Sequence, residues 1–101
     1  MAVKIGNLRI FPDHNDKMNL SVRDIEGGIL VVSQFTLYGD CRRGNRPCFT
    51  ESALPEQALK LYDCFIKILK ADRLKVETGI FGANMDIEMV NEGPVTIIID
   101  S

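Results

Sequence analysis

Histidine, cysteine and tryptophan are scarce in this sequence. The 101 residues include one histidine, three cysteines and no tryptophan. An odd number of cysteines without a close CxxC pair argues against a disulfide framework and against a zinc site. We therefore expect no metal and no other cofactor. A catalytic relay with a histidine base would depend on His14, which lies in a polar loop, and an ordinary solvated histidine is the alternative.

Long apolar runs are also lacking. The run Ile29–Val32 falls far short of the roughly 20 residues that cross a bilayer. No basic start followed by an apolar stretch and a cleavage site marks the chain for export. We therefore expect a cytoplasmic protein with no membrane partner. With 46% hydrophobic and 26% charged residues, the composition predicts one soluble domain with one modest core.

The first half of the chain carries β signals. A weak strand is predicted over Asn7–Phe11, followed by a polar loop and a short return at Met18–Leu20. The strongest signal is Ile29–Tyr38, which begins as a fully buried run and ends with polar residues interleaved. Because side chains alternate along a strand, we expect Ser33 and Phe35 to share one face.

The second half predicts one helix and then three strands, of which the last two form a hairpin. Proline followed by glutamate at residues 55–56 is a helix start, and apolar residues recur beyond it at helical spacing. The period then changes to two, in Leu74–Thr78 and again in Met85–Met89. The turn residues Asn91–Pro94 predict an antiparallel hairpin into Val95–Ile99.

Three arginines share the irregular loop that follows the long β signal. A five-residue stretch of this loop contains Arg42, Arg43 and Arg46, and the loop also contains glycine and proline. Such a cluster can contact phosphates even in a chain of net charge −2, because that contact needs only local positive charge. A solvated loop is the alternative.

Two hydroxyls and one turn are further candidates. Ser33 and Thr36 lie near the end of the long β signal, where catalytic groups often sit, although hydroxyls that satisfy the backbone are more common there. No base adjoins them in sequence to activate either oxygen. Gly93-Pro94 can aim rigid backbone carbonyls in one direction, and an ordinary turn is the alternative.

Four stretches together resemble the D-aminoacyl-tRNA deacylase family. The first and last match the SQFTxY-like and NxGPxT-like motifs of that family, in the family's order. The resemblance extends from Ile5 onward and implies an α/β fold in three layers, with mixed and antiparallel sheets and one main helix. Family members begin with a strand pair and a first helix, of which only the end is present here, so the resemblance implies one N-terminally shortened domain over residues 1–101. The four stretches are Ser33–Tyr38, Gly44–Pro47, Gly79–Met85 and Asn91–Thr96.

The resemblance implies a metal-free ester hydrolase. Its substrate would be tRNA carrying a D-amino acid, or glycine mischarged on tRNA-Ala, on the terminal adenosine, and L-aminoacyl-tRNA would be spared. The family's active site lies at a homodimer interface, where the Gly93-Pro94 pair, cis in the family, would reach into the partner's pocket and reject an L side chain. A DNA partner is not implied.

The resemblance also assigns the remaining site residues. The three arginines would contact the acceptor end of the tRNA. Catalysis would come either from a Thr36 nucleophile or from the backbone N–H groups of Phe35 and Thr36 as oxyanion donors. A non-catalytic dimerising or RNA-binding remnant of the family is the alternative function. The catalytic segment is Ser33, Gln34, Phe35 and Thr36, and the substrate-binding residues are Phe81, Ala83, Met85, Gly93 and Pro94.

Overall fold

The computed structural model describes all residues from Met1 to Ser101. Two helices, one short 3₁₀ turn and four strands alternate along the chain. They are α1 (Ala2–Asn7), β1 (Phe11–Pro12), β2 (Met18–Leu20), β3 (Gly28–Val31), the 3₁₀ turn (Phe35–Tyr38), α2 (Pro55–Ala71) and β4 (Lys75–Thr78). Neither helix combines the length and apolar character needed to cross a bilayer.

Helix α2 confirms the predicted helix, and its sequence explains both of its ends. Pro55 occupies the first turn, where an N–H group would have no acceptor within the helix, so the lack of one in proline costs no hydrogen bond. At the other end, Arg73 adopts a left-handed backbone with a φ of +61°. Its N–H donates to the Lys70 carbonyl at 3.0 Å, and the Leu74 N–H donates to the Leu69 carbonyl at 3.4 Å. This is a Schellman motif, in which Leu69 and Leu74 also meet in the core.

Two small sheets flank the core. Strands β1 and β2 pair antiparallel, whereas β3 and β4 pair parallel with Ile29 opposite Val76. Helix α2 makes the crossover that a parallel pair requires. The predicted α/β class with mixed sheets and one main helix is confirmed. The buried apolar residues are Ala2, Val22, Leu69 and Leu74, and the partly buried residues against them are Phe11, Ile29, Val31, Phe65 and Val76.

The predicted first strands are shorter than the sequence pattern indicates. Residues up to Asn7 belong to α1, so the strand predicted over Asn7–Phe11 begins only at Phe11. The strand predicted over Ile29–Tyr38 ends at Val31, where the Gly79 N–H makes the last bond to its carbonyl, at 3.1 Å. Beyond this point no strand partner is present, and the chain turns into the 3₁₀ turn. The predicted shared face of Ser33 and Phe35 is therefore wrong.

The two strands predicted after β4 are absent. We call residues 84–101 the C-terminal arm and residues 1–83 the folded body. All 38 main-chain hydrogen bonds of the structure lie within the folded body, and the arm makes none. The predicted strand at Met85–Met89 and the predicted hairpin into Val95–Ile99 are therefore wrong for this chain by itself. An alternating pattern becomes a strand only where a second backbone supplies hydrogen-bond partners.

The arm leaves a large surface exposed. The chain exposes 8848 Å², whereas a compact monomer of this size exposes about 5,700 Å². Apolar side chains of the arm contribute to that excess: Val90 is 96% exposed and Ile98 is 87% exposed. The folded body thus contains a small core of four buried apolar residues, and the arm is an extended apolar segment without such a core.

Candidate active site

A cavity of about 920 Å³ opens beyond the end of β3. Its walls come from the 3₁₀ turn, the first half of α2 and the segment from Phe81 to Ile87. The structure brings together here seven of the residues that the sequence analysis assigns to catalysis and substrate binding. They are Ser33, Gln34, Phe35, Thr36, Phe81, Ala83 and Met85.

The lining of this cavity contains no carboxylate, imidazole, amine or thiol. Its polar groups are hydroxyls, two side-chain amides and main-chain groups. His14 lies in the exposed loop between β1 and β2 and does not line the cavity. No general base therefore stands beside Thr36. Four of the lining polar residues were not among the predicted site residues: Tyr38, Ser52, Tyr62 and Asn84.

The 3₁₀ turn presents its first amides without partners inside the turn. The first N–H groups of a helical turn have no acceptor within it, so the amides of Phe35 and Thr36 remain available as donors. The Gln34 side-chain amide donates to the Thr36 hydroxyl oxygen. The Thr36 carbonyl accepts the Gly39 N–H at 2.9 Å, which closes the turn. The hydroxyl of Thr36 is thus held as an acceptor, with Gln34 fixing its position.

An aromatic pair shapes the opposite wall. The rings of Tyr62 and Phe81 lie 5.6 Å apart at an interplanar angle of 50°. The Tyr62 hydroxyl donates to the Val31 carbonyl at 3.2 Å, which ties α2 to the end of β3. Tyr62 could have been found from sequence only as a member of the apolar face of α2, because nothing in that pattern indicates which member reaches the cavity.

Met85 reaches the cavity because residue 79 has no side chain. A Cβ built at Gly79 would lie 2.6 Å from the Met85 sulfur, closer than real contacts allow. The glycine therefore lets the methionine side chain fold back toward the end of β3. The first residues of the arm therefore lie beside the folded body, and Met85 lines the cavity.

Gly93 and Pro94 lie elsewhere. Their peptide bond is cis, Gly93 has a φ of +104°, and neither residue lines the cavity of its own chain. They belong to the exposed part of the arm. One chain alone therefore does not bring the predicted filter to the predicted pocket.

The three arginines line a second, smaller cavity of about 470 Å³ together with Asp40, Cys48 and Thr50. Asp40 binds Arg42 in a two-pronged ion pair, with Nε at 2.8 Å and Nη2 at 2.7 Å from its carboxylate oxygens. Hydrogen bonds from Arg42 lower the pKa of Asp40 below its ordinary value of 3.8. Arg43 and Arg46 make no ion pair. Two of the three guanidinium groups are thus without a protein partner.

Comparison with known proteins places the chain among tRNA deacylases. The profile of the family described as D-Tyr-tRNA(Tyr) deacylase matches residues 1–100. A D-aminoacyl-tRNA deacylase of Thermotoga petrophila is 59% identical over 101 residues, and one of Thermosipho africanus is 60% identical over 101 residues. Each alignment covers 100% of this chain and 68% of the relative.

A solved structure shares the fold. The protein named c-Myc DNA Unwinding Element Binding Protein superposes with a TM-score of 0.87 and is 41% identical in sequence. The match covers 100% of this chain and 69% of that one. The agreement in fold therefore extends over the whole of this chain.

Proposed function

The chain belongs to the D-Tyr-tRNA(Tyr) deacylase family, and from that premise we propose that it hydrolyses the ester of D-aminoacyl-tRNA. Water adds to the ester carbonyl, the bond to the ribose oxygen breaks, and free D-amino acid and tRNA are released. The observation that carries the proposal is the cavity beside the 3₁₀ turn, which offers unpaired amides and no charged group. Such a site suits a substrate that is already activated.

The barrier to be lowered is small. If water alone cleaves an aminoacyl ester in about an hour, one turnover per second needs about four decades, or about 5 kcal/mol. One or two fixed oxyanion donors supply about 2.7–4 kcal/mol each. The amides of Phe35 and Thr36 can therefore account for most of the rate. A histidine or carboxylate base is not required.

The hydrogen bond between Gln34 and Thr36 favours these amides over a Thr36 nucleophile. The Thr36 oxygen accepts a hydrogen bond from the Gln34 side-chain amide, and the lone pair engaged in this bond is not available for attack on the ester. No neighbouring base removes its own proton. We assign Thr36 to orienting water, and Ser33 to the pocket wall beside it. The apolar lining at Phe81, Ala83 and Met85 then receives the adenosine or the amino acid side chain.

Chiral selection is assigned to Gly93 and Pro94 of a second copy of the chain. The arm that carries them is exposed and makes no main-chain hydrogen bond, so it is free to meet a partner. A backbone corner can exclude an L side chain by collision without recognising any particular D side chain. Glycine has no side chain to exclude, so glycine mischarged on tRNA-Ala is also accepted.

The second cavity is assigned to the acceptor end of the tRNA. Arg43 and Arg46 have no carboxylate partner, and Arg42 remains 86% exposed beside Asp40. Each phosphate contact through these groups adds to the salt dependence of binding. We expect Arg43→Gln to weaken tRNA binding more at 50 mM salt than at 150 mM salt, because the variant makes one phosphate contact fewer and its affinity therefore falls less steeply with salt.

Hydrolysis of D-tyrosyl-tRNA, with L-tyrosyl-tRNA as the paired substrate, tests the function directly. With the 101-residue protein as the enzyme, we expect D-tyrosine to be released from its tRNA and L-tyrosine to remain attached to its tRNA. If neither aminoacyl-tRNA is hydrolysed but the protein still binds tRNA in a gel-shift assay, the chain is a non-catalytic RNA-binding remnant. A DNA duplex belongs in the gel as a control, because the solved relative is named for binding a DNA unwinding element.

Two substitutions separate the assigned roles. Pro94→Ala is expected to raise hydrolysis of L-tyrosyl-tRNA while leaving D-tyrosyl-tRNA hydrolysis nearly unchanged, with Pro12→Ala in β1 as the control.

Thr36→Val is expected to retain part of the hydrolytic activity, because the main-chain amides remain, with Thr78→Val as the control. Complete loss in Thr36→Val with an unchanged circular dichroism spectrum would return the hydroxyl to the centre of the mechanism.

A further inference from the structure

The arginine loop is joined to the 3₁₀ turn through a short, well-defined connection. Asp40 and Cys48 exchange both main-chain hydrogen bonds, at 2.8 Å and 3.0 Å, and so close residues 41–47 into a loop. This pairing places Phe49 beside Gly39, the residue that ends the turn. The loop that carries the arginines and the turn that carries the free amides are therefore anchored at the same place in the structure.

Phe49 occupies the space between them. Its ring meets the ring of Phe35 edge to face, with centroids 5.2 Å apart and an interplanar angle of 70°. A Cβ at position 39 would lie 3.0 Å from Phe49 Cε1 and 3.0 Å from the Thr36 carbonyl oxygen, so the close approach depends on Gly39. The Phe49 carbonyl accepts the Ser52 N–H at 3.1 Å and the Ser52 hydroxyl at 2.8 Å, which fixes its backbone.

The turn has little other support. None of its four residues is buried, and Phe35 is 61% exposed despite its contact with Phe49. A turn that offers oxyanion donors must hold them within a few tenths of an ångström of the reacting oxygen, because small displacements lower the rate steeply. The contact between Phe49 and Phe35 is therefore the point at which the arginine loop can affect the amides.

We propose that Phe49 is a positioning residue that couples binding of the acceptor stem at the arginine loop to the alignment of the Phe35 and Thr36 amides. The inference rests on the proposed function and adds to it a dependence on substrate length. A substrate with a stem restrains the loop, and through Phe49 it restrains the turn. A substrate that ends at the adenosine leaves the turn free to move.

Comparison of D-tyrosyl-tRNA with D-tyrosyl-adenosine tests the coupling. Both carry the same reacting ester, and only the first has an acceptor stem. We expect the wild-type kcat to be about tenfold higher on the tRNA. In Phe49→Ala this kcat ratio should fall toward one, through loss of kcat on the tRNA alone, whereas KM for the tRNA stays nearly constant. Phe49→Leu keeps an apolar side chain without the ring, so its kcat ratio should lie between those of the wild type and Phe49→Ala.

Phe65→Leu serves as the matched control, because Phe65 packs against the core and not against the turn. It should lower stability while leaving the kcat ratio at the wild-type value. Equal loss of kcat on both substrates in Phe49→Ala would reduce Phe49 to a structural support and overturn the proposal. A wild-type ratio near one would overturn it as well.

A second measurement separates this inference from the hydrolytic function. An acceptor-stem RNA hairpin without the terminal CCA can be titrated into ¹⁵N-labelled protein. We expect the amide resonances of Phe35 and Thr36 to shift in the wild type but not in Phe49→Ala, whereas the Arg43 amide shifts in both. Unmoved turn resonances in the wild type would contradict coupling even if hydrolysis is intact. Shifted resonances in a protein without hydrolysis would retain coupling and reject the proposed function.

Discussion

The folded body and the C-terminal arm contain segments of the same β pattern with opposite outcomes. Leu74–Thr78 and Met85–Met89 both alternate apolar and polar side chains. The first contains β4, paired in parallel with β3. The second makes no main-chain hydrogen bond. The difference lies in the neighbour each segment finds and not in its own residues.

A strand is stabilised by its pair, because every main-chain donor and acceptor needs a partner. Strand β4 meets β3 directly after α2 has reversed the chain direction. The arm has no such neighbour in this chain, and beyond Met85 most of its apolar side chains remain exposed, Val90 and Ile98 most of all. A second copy of the chain would supply both an apolar surface and backbone partners, which is why we assign the arm to the dimer interface.

The largest expected difference between the two regions is in stability. Leu69 is 1% exposed, so Leu69→Ala should lower the free energy of unfolding by about 2–5 kcal/mol. Ile98 is 87% exposed, so Ile98→Ala should change it by less than about 0.5 kcal/mol at a protein concentration that keeps the chain monomeric. Urea unfolding of both variants measures this contrast. Similar losses in the two variants would show that the arm packs on the body of its own chain.

The second expected effect is on association. Ile98→Asp places a charge in the proposed interface and should raise the dimer dissociation constant by about tenfold or more, equivalent to about 1.4 kcal/mol. Ile98→Leu, which keeps the apolar surface, should leave it nearly unchanged. Sedimentation equilibrium over a range of concentrations measures both. A wild-type chain that remains monomeric at the highest concentration would contradict the dimer and the shared site together.

The sequence predicts elements best where local signals and tertiary contacts agree. Helix α2 has a proline start and an apolar stripe, and both signals are local. Its left-handed end at Arg73 was not predicted, because glycine and not arginine is the usual residue there. Strand β4 follows it at once. The 3₁₀ turn was not predicted, because its residues continue the alternation of Ile29–Val31 and nothing local indicates where β4 stops pairing.

The site divides in the same way. The resemblance grouped Ser33–Thr36 with Phe81, Ala83 and Met85, and the structure brings these residues to one cavity. Their roles stay predictions. Tyr62 was missed because a helical stripe does not distinguish a core position from a cavity wall. Phe49 was missed because its importance depends on the pairing of Asp40 with Cys48, which the loop sequence does not reveal.

Acid tests how the two halves of the folded body are held together. Arg23 and Asp72 form an ion pair 49 residues apart in sequence. Hydrogen bonds from Arg23 lower the pKa of Asp72 below its ordinary value of 3.8. The stabilisation is therefore present above pH 3.8 and is lost as the pH falls through the lower pKa of the folded state. Asp72→Asn should be less stable at pH 7 and show a shallower loss of stability below pH 4, measured by thermal unfolding; parallel curves would contradict the assignment.

The arginine loop is the intermediate case, since it has no regular structure yet is closed by a paired bridge. If it is held as firmly as the helices and sheets of the folded body, the Thr50 hydroxyl stays 3.4 Å from the Cys48 sulfur. That hydrogen bond lowers the pKa of the Cys48 thiol below 9.0, so a larger fraction is thiolate at pH 8. Iodoacetamide should then alkylate Cys48 faster than Cys41, and Thr50→Val should reduce the advantage, because it removes the hydroxyl and leaves the weaker main-chain contribution of residue 50. Equal alkylation rates at both cysteines would show that the contacts of the loop do not persist, as expected for the arm. That result would also weaken the argument for coupling through Phe49.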